Sequence, residues 1–573
     1  MTEINKHPKP EELITWGWAN FEPYYSELEK EQLTSSNIKD WLASWTALFD
    51  LAEELYNRLY VATSVNTADQ VTTNLFETYM EETFPMWKTA EQKLKEKLLA
   101  SGLTIPGFEI ALRNMRADAA LFREENLPLQ VKEEKLSKEH DKVLGAQTVE
   151  WQGEEKTVLQ MEAVLRDPDR ETRRSAWEKL ANRQLADRQA INQQWKDFFA
   201  LRKQIAQNAG KSDFRAYRWQ QLNRFDYSPQ DCYAFHKAIE EAVVPAVNRL
   251  AERRKKKLGI KDLRYYDLYV DLSGKPSLKP FANVRELTDK ASAIFHKVDP
   301  TFGGYFDTMD RDGLLDLGNR KNKATGGYCT TFSNAERPFI FANAVGTHQN
   351  VLTLMHEGGH SFHAFETFHL PYHQQRSESN VPMEFAEVAS MAMEYLTYPY
   401  LEDKFGGYYS AADAARARVD HLELNLRFWP YMAILDAFQH WAYENPNEGI
   451  DPDKCDTKWA ELEKRFRPYI DWSGYENVMM TGWQRKGHIH TVPFYYVEYG
   501  LALLGATQVW MNALKDQNNA VEQYRSALRL GGTVSLPELF KAAGARLAFD
   551  AATLHEALDL MESTIYELEE SYY

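Results

Sequence analysis

His356-Glu357-Gly358-Gly359-His360 is the stretch on which the reading of this chain turns. It has the pattern H-E-x-x-H, the spacing of a helix-borne zinc site with its own general base. Histidines four apart on a helix lie about one turn (~6 Å) apart on nearly the same face, so both imidazoles can reach one metal ion. Glu357 lies about 100° round the helix from His356, close enough to take a proton from a metal-bound water without ligating the metal. The surrounding sequence predicts a helix capped near Thr347 and running past His360. In a chain with 15 histidines, three specified residue types need support from their context.

A catalytic zinc usually keeps three protein ligands and leaves the fourth position to water or substrate. The best source of the third ligand is Pro382 to Tyr398, PMEFAEVASMAMEYLTY. It opens with Pro in a first-turn position, has no internal Gly or Pro, and stops at Pro399. Its Ala, Met, Phe and Val content predicts a buried helix, and buried carboxylates need partners. Glu387 is the chosen ligand. Glu394, two turns further along the same face, is placed to hold a ligand imidazole from behind, and Glu384 competes for either role. A solvent-facing acidic stripe is the alternative, opposed by the apolar character of Ala386-Glu387-Val388-Ala389-Ser390.

The 573 residues are 44% hydrophobic and 26% charged, an ordinary globular composition. With 67 Lys+Arg against 84 Asp+Glu the net charge is −17, which argues against nucleic acid or an anionic membrane as partner. Cys232, Cys329 and Cys455 form no C-x-x-C, so they build no zinc cluster and suit a reducing compartment. The N-terminal stretch lacks an apolar signal core and no segment reaches ~18 uninterrupted apolar residues, so a cytoplasmic location is expected.

Helical periodicity runs through Trp41 to Tyr60, Glu91 to Ala100 and the charged stretch Arg166 to Ala209. Gln147 to Gln160 reads as a hairpin turning at Gln152-Gly153. After about residue 300, Gly303-Gly304 and Gly326-Gly327 punctuate a short β-like region that ends in Pro338 to Asn343. The expectation is a mainly α protein, with a helical region over residues 1–200 and a catalytic part over 201–573 carrying a small antiparallel sheet beside the metal helix. Thr331 to Asn343, especially Phe339 to Asn343, reads equally as an interior hairpin or as an edge strand able to hold a peptide by main-chain hydrogen bonds. In the edge reading, Phe341, Ala342 and Asn343, with Gly326 and Gly327 as a loop over the cleft, are candidate substrate contacts; otherwise the glycine pair serves a turn.

HEGGH, followed 27 residues after its second His by Glu387 within EFAEVASMAME, resembles the oligoendopeptidase F branch of the thimet oligopeptidase family of zinc metallopeptidases. The resemblance extends to YYDL (Tyr265 to Leu268), GGYC (Gly326 to Cys329) and PFYYVEYGLA (Pro493 to Ala502). It implies one Zn²⁺ per chain, with Glu387 as third ligand, inside a two-lobed helical shell around a deep substrate channel. The implied activity is endopeptidase cleavage of short unstructured oligopeptides by a zinc-bound water that Glu357 activates.

The oxyanion formed in such a reaction also needs donors aimed at it. Gly487 to Tyr499 (GHIHTVPFYYVEY) offers His488, His490, Tyr495, Tyr496 and Tyr499. If Pro493 opens a helix, Tyr496 and Tyr499 share a face. The resemblance carries the oxyanion role to those two tyrosines, with Tyr495 as alternate. The interval before them is shorter than in thimet-type members, so His488 and His490 both stand as candidates. His348, His363, His369 and His373 are not needed as ligands and are expected to be structural or to stand behind the metal ligands. A metallocarboxypeptidase or peptidyl-dipeptidase in a similar shell is the alternative, and it requires a cation such as Arg337 or Arg376 to anchor the substrate carboxylate. Gly358 and Gly359 are expected to thin the motif helix beside a substrate strand, at about 1 kcal/mol each relative to Ala.

Overall fold

The computed structural model describes residues 8–377 and 380–572. Helices dominate, as the periodicity predicts, and among the described residues strands are confined to a hairpin and a three-stranded sheet. The chain divides into two compact units. One consists of Met1–Ala119, Leu278–Ala414 and Gly505–Leu547, the other of Ala120–Ser277, Ala415–Leu504 and Ala548–Tyr573. The division expected after residue 200 falls inside the helix Arg188–Asn208 and separates no units. Each unit is assembled from distant segments, which a composition profile does not register.

In the first unit the helix Ile38–Val65 buries Trp41, Leu42, Trp45, Leu48, Leu51, Leu55 and Leu59, a stripe at three- and four-residue intervals. Its neighbours are the helices Trp18–Lys30 and Phe84–Ser101. Glu91, buried among them, accepts hydrogen bonds from Tyr25 Oη at 2.6 Å and Trp45 Nε1 at 2.9 Å. In the second unit the charged stretch becomes two helices, Arg170–Ala186 and Arg188–Asn208, the first capped by Asp169, which accepts from the Thr172 amide at 2.8 Å. The hairpin there pairs β1 (Thr148–Trp151) with β2 (Glu154–Thr157). It turns where expected, at Gln152 (φ 54°) and Gly153 (φ 84°), two left-handed residues that match the strand twist.

The sheet of the first unit contains β3 (Leu315–Gly318), β4 (Tyr328–Phe332) and β5 (Arg337–Ala344) in the order β3-β5-β4. β4 is antiparallel to β5 but β3 is parallel to it, so the sheet is mixed rather than antiparallel. β5 is the central strand and not an edge. Its unbroken apolar run Pro338-Phe339-Ile340-Phe341-Ala342 suits a strand covered on both faces. Gly303 and Gly304 lie within the helix Pro300–Arg311, not in the β region, and a Cβ at Gly303 would come within 2.2 Å of the His296 ring.

β5 leads into the motif helix, His348–Thr367. Thr347 caps it as predicted, with the Asn350 carboxamide accepting from the Thr347 amide at 3.0 Å and hydroxyl at 2.9 Å. This helix packs on β5 and on the glutamate helix, Met383–Leu396, which Pro382 precedes.

Candidate metal centre and aromatic cluster

The motif helix and the glutamate helix bring His356, His360 and Glu387 together. Glu387 Oε2 lies 3.4 Å from His356 Nε2 and 3.7 Å from His360 Nε2, and donor atoms of all three lie within 4.8 Å of one another. Tetrahedral zinc with ligand bonds of about 2.0–2.2 Å separates its donors by ~3.3–3.6 Å, so the residues present fit the ion. Behind the pair, His356 Nδ1 donates to Glu394 Oε1 at 2.7 Å, which turns Nε2 toward the shared point. Glu384, buried one turn before Glu387, competes for this contact in the sequence, but Glu394 makes it.

The electrostatics follow from burial and from this mutual proximity. Burial favours the neutral form of Glu387, but the two histidines outweigh it and hold the carboxyl down at about 2. Burial likewise works against a charged His356, yet Glu387 and Glu394 push its pKa well above the ordinary value. Burial lowers that of His360. Glu357 is only 8% exposed, and burial raises its pKa against the opposing pull of His360 and His356. That shift strengthens Glu357 as a proton acceptor.

The two glycines of the motif have specific neighbours. A Cβ on Gly359 would lie 2.6 Å from both Ala389 O and Ser390 Cα, and one on Gly358 would lie 2.7 Å from Phe295 Cζ. They thin the helix against the glutamate helix and the Phe295 ring, not against a substrate strand. Gly359 is thus what lets the backbone bearing Glu387 approach the histidines. Ser390 Oγ donates to Glu387 Oε2 at 3.1 Å, and Tyr524 Oη donates to Ala389 O at 2.6 Å from the helix Gln517–Leu528.

The candidate substrate contacts change with the sheet order. Phe341 is fully buried, stacked on Tyr328 with centroids 4.9 Å apart. Ala342 O accepts from Lys323 Nζ at 2.6 Å. Asn343 Nδ2 donates to Ala324 O at 2.8 Å and Gly326 O at 2.9 Å, so this side chain tethers the glycine loop. Gly326 has φ 94°, and a Cβ on Gly327 would meet Phe341 O at 3.3 Å. These five residues build the sheet and its loop. The edge strands are β3 and β4, and in β4 Cys329 Sγ comes within 3.3 Å of Ser361 Oγ on the motif helix.

In the second unit Tyr496 and Tyr499 stand with ring centroids 5.7 Å apart, and His488 lies 5.0 Å from Tyr496 and 6.3 Å from Tyr499. Tyr495 joins them, 6.1 Å from His488. Burial lowers the His488 pKa to about 4 and raises that of Tyr496, so both are neutral near pH 7. His490 is elsewhere. It is fully buried, stacked on His140 at 4.2 Å and on Trp483 at 5.6 Å, which leaves His488 as the histidine of the cluster. The helix begins at Val497 rather than Pro493, because Phe494 holds a left-handed backbone (φ 62°). For a bulky residue that conformation needs over-determination by its surroundings. Three arginines supply it: Arg202 donates to His490 O, Arg218 to Pro493 O at 3.1 Å, and Arg224 to Phe494 O and the Glu498 carboxylate.

Residues 163–558 match the profile of Peptidase family M3, a stretch that includes the metal motif, Glu387 and the tyrosines. The chain belongs to this family. Among similar proteins, Oligopeptidase PepF of Bacillus subtilis (strain 168) is 25% identical over 345 residues, 57% of this chain and 48% of the relative. An oligoendopeptidase F homolog of Lactococcus lactis subsp. lactis (strain IL1403) is 26% identical over 333 residues, 57% of this chain and 52% of the relative. The chain spans about half the length of the curated relatives it matches. Among solved structures, PZ peptidase A with an inhibitor aligns at TM-score 0.86 and 25% identity over 98% of each chain. A structure from Bacillus anthracis str. Ames, described as an oligoendopeptidase F, aligns at TM-score 0.80 and 23% identity over 100% of this chain and 98% of that one, a likeness of fold.

Within this family M3 chain, sequence reasoning missed Ser390, Tyr524 and the three arginines behind the tyrosines. Only the glycine pair signalled the first two, since small residues mark close helix contact. The expected structural histidines fit that role: His348 Nδ1 lies 2.8 Å from Tyr409 Oη, His363 is buried with its pKa pushed down to about 3, and His373 stacks on Phe49 at 4.0 Å.

Proposed function

We propose that this chain is a zinc-dependent endopeptidase that hydrolyses internal bonds of short, unstructured oligopeptides with one zinc ion at the motif helix. The observation that carries the reading is the convergence of His356, His360 and Glu387, with Glu394 holding His356 from behind. Held by His356, His360 and Glu387, a zinc ion would supply Lewis-acid chemistry there, polarising the scissile carbonyl and acidifying the attacking water. Glu357 takes the proton from that water and passes it to the departing amine. Tyr496 and Tyr499, with His488, carry the oxyanion role that the family resemblance implies. Each is suited to it as a neutral donor that need not change charge during the reaction.

The substrate's main chain is assigned to the β4 edge, since β5 is paired on both sides and β4, of the two edge strands, touches the motif helix through Cys329 and Ser361. The exopeptidase alternative is disfavoured because both candidate anchors are engaged: Arg376 pairs with Asp50 at 2.5 Å and Arg337 with Asp312 at 3.1 Å. Oligopeptides are the proposed partners, and the net charge of −17 sets nucleic acid aside. No helix among the described residues is long and apolar enough to cross a membrane, and the three cysteines are free. A cytoplasmic location accords with both. Glu357→Gln tests the assignment: the variant is expected to bind zinc as the parent does and to lose at least about a hundredfold in turnover. Full turnover in that variant defeats it.

A further inference from the structure

A second set of metal-binding side chains meets inside the second unit. Cys232 and His236 lie four apart on the helix Pro229–Ala238, and Asp436 and His440 lie four apart on the helix Ala411–Glu444. Each pair occupies one face of its helix, the same spacing by which the motif helix aims two histidines at one point. Donor atoms of Cys232, Asp436 and His440 all lie within 4.8 Å of one another. Asp436 Oδ2 is 2.8 Å from His236 Nε2 and 3.3 Å from His440 Nε2. None of the four residues is more than 3% exposed.

The protein leaves this cluster incompletely satisfied. Among the described residues, buried Asp436 Oδ1 has no hydrogen-bond partner, and His440 Nε2 faces Asp436 Oδ2 at 3.3 Å without hydrogen-bond geometry. A buried carboxylate also needs a countercharge. Arg215 is the cation beside His440, but its Nη1 has two hydrogens and three acceptors in reach: the Glu444 carboxylate, Tyr233 Oη at 2.8 Å and His440 Nδ1 at 3.2 Å. The two nearer groups use both hydrogens, so that nitrogen serves Glu444 and Tyr233 rather than the Asp436 side of the cluster.

We propose that Cys232, Asp436 and His440 form a second site for a zinc ion, with His236 holding the Asp436 carboxylate from behind through Oδ2. A thiolate, a carboxylate and an imidazole suit zinc rather than magnesium or calcium. On binding, the Cys232 thiol gives up its proton to solvent and sulfur bonds to the ion. Thiolate and carboxylate together then balance the two positive charges. The site would pin two helices of the second unit. The longer one also carries Phe428 and Tyr431, which pack on Tyr496 at 5.6 and 6.2 Å, and Gln439, whose Oε1 accepts from the Phe494 amide at 2.6 Å. The second ion would brace the tyrosine segment from behind, without touching substrate.

The full chain, loaded with zinc and freed of excess metal, is expected to hold two equivalents by elemental analysis, and His356→Ala is expected to retain one. Replacement of zinc by cobalt(II) is expected to give a near-ultraviolet thiolate-to-cobalt charge-transfer band, because the motif-helix ligand set contains no sulfur. The band should persist in His356→Ala and in Cys455→Ser and vanish in Cys232→Ser. Absence of the band from the folded parent protein overturns the proposal, as does a band that Cys232→Ser leaves intact. The parent measurement decides even if Cys232→Ser does not fold. One zinc equivalent accompanied by the band would support this site and count instead against metal at the motif helix.

Discussion

Gly359→Ala is the perturbation whose outcome follows most directly from the packing. The added Cβ would stand 2.6 Å from Ala389 O and Ser390 Cα, and 3.0 Å from Ala389 C. Unstrained carbon contacts begin near 3.5 Å, so the two helices must part by roughly 0.9 Å at this point. Both obstructing residues are backbone neighbours of Glu387, so the ligand moves with them. Overpacking costs about 1–3 kcal/mol, of which helix propensity returns about 1 kcal/mol, for a net loss of roughly 0–2 kcal/mol. Metal sites tolerate ligand errors of only about 0.2 Å. Zinc affinity should therefore fall by about 10–100-fold, as when a ligand's support is lost. Gly358→Ala is the control. Its Cβ meets the Phe295 ring edge at 2.7 Å, on the helix Val284–Val298, which carries no ligand. It should lower the unfolding temperature while leaving zinc affinity within a few-fold. Chelator competition gives the affinity and thermal unfolding the stability. Native zinc affinity in Gly359→Ala, or a larger loss in Gly358→Ala, would refute the reasoning.

Glu394→Gln should weaken zinc binding by about 10–100-fold by removing the carboxylate that orients His356, and unchanged competition with chelator would show that the contact is idle. His488→Gln should lower kcat with little change in unfolding temperature, whereas His490→Ala should destabilise the fold by about 2 kcal/mol or more, like other core truncations; the reverse pattern would exchange their roles. The His488 pKa is depressed from 6.5 to about 4, so the stability that its neutral form contributes is complete above pH 6.5 and lost as pH falls through about 4. The parent should accordingly lose more stability than His488→Gln between about pH 7 and about pH 5 by denaturant unfolding, and equal losses would contradict the shift.

The features legible in the sequence are those set by local spacing. Thr347, HEGGH and the breaker-free run after Pro382 fix two helices and the faces that carry His356, His360, Glu387 and Glu394. Gln152-Gly153 fixes a turn by backbone chirality. The rest depends on partners far away in the chain. β5 reads as edge or interior alike until Leu315–Gly318, a four-residue strand too short to stand out, pairs with it in parallel. His488 and His490 are two residues apart in one short turn, and only the aromatic packing around His140 and Trp483 decides which is core. Phe494 delays the helix to Val497 through a left-handed residue that nothing in an aromatic side chain advertises. The glycine pair announces a close approach, but the identity of what approaches, Ala389 and Phe295, is a tertiary fact.

The central claim, metal-dependent cleavage at internal bonds, is tested most directly by an internally quenched oligopeptide blocked at both ends. The chain as purified, the chain stripped by a chelator, and the stripped chain resupplied with zinc are compared, with the products read by mass spectrometry. The account predicts cleavage at an internal bond, its loss on chelation and its return with zinc. Blocked peptide left intact while unblocked peptides are trimmed from an end, or cleavage that chelation does not touch, would contradict it.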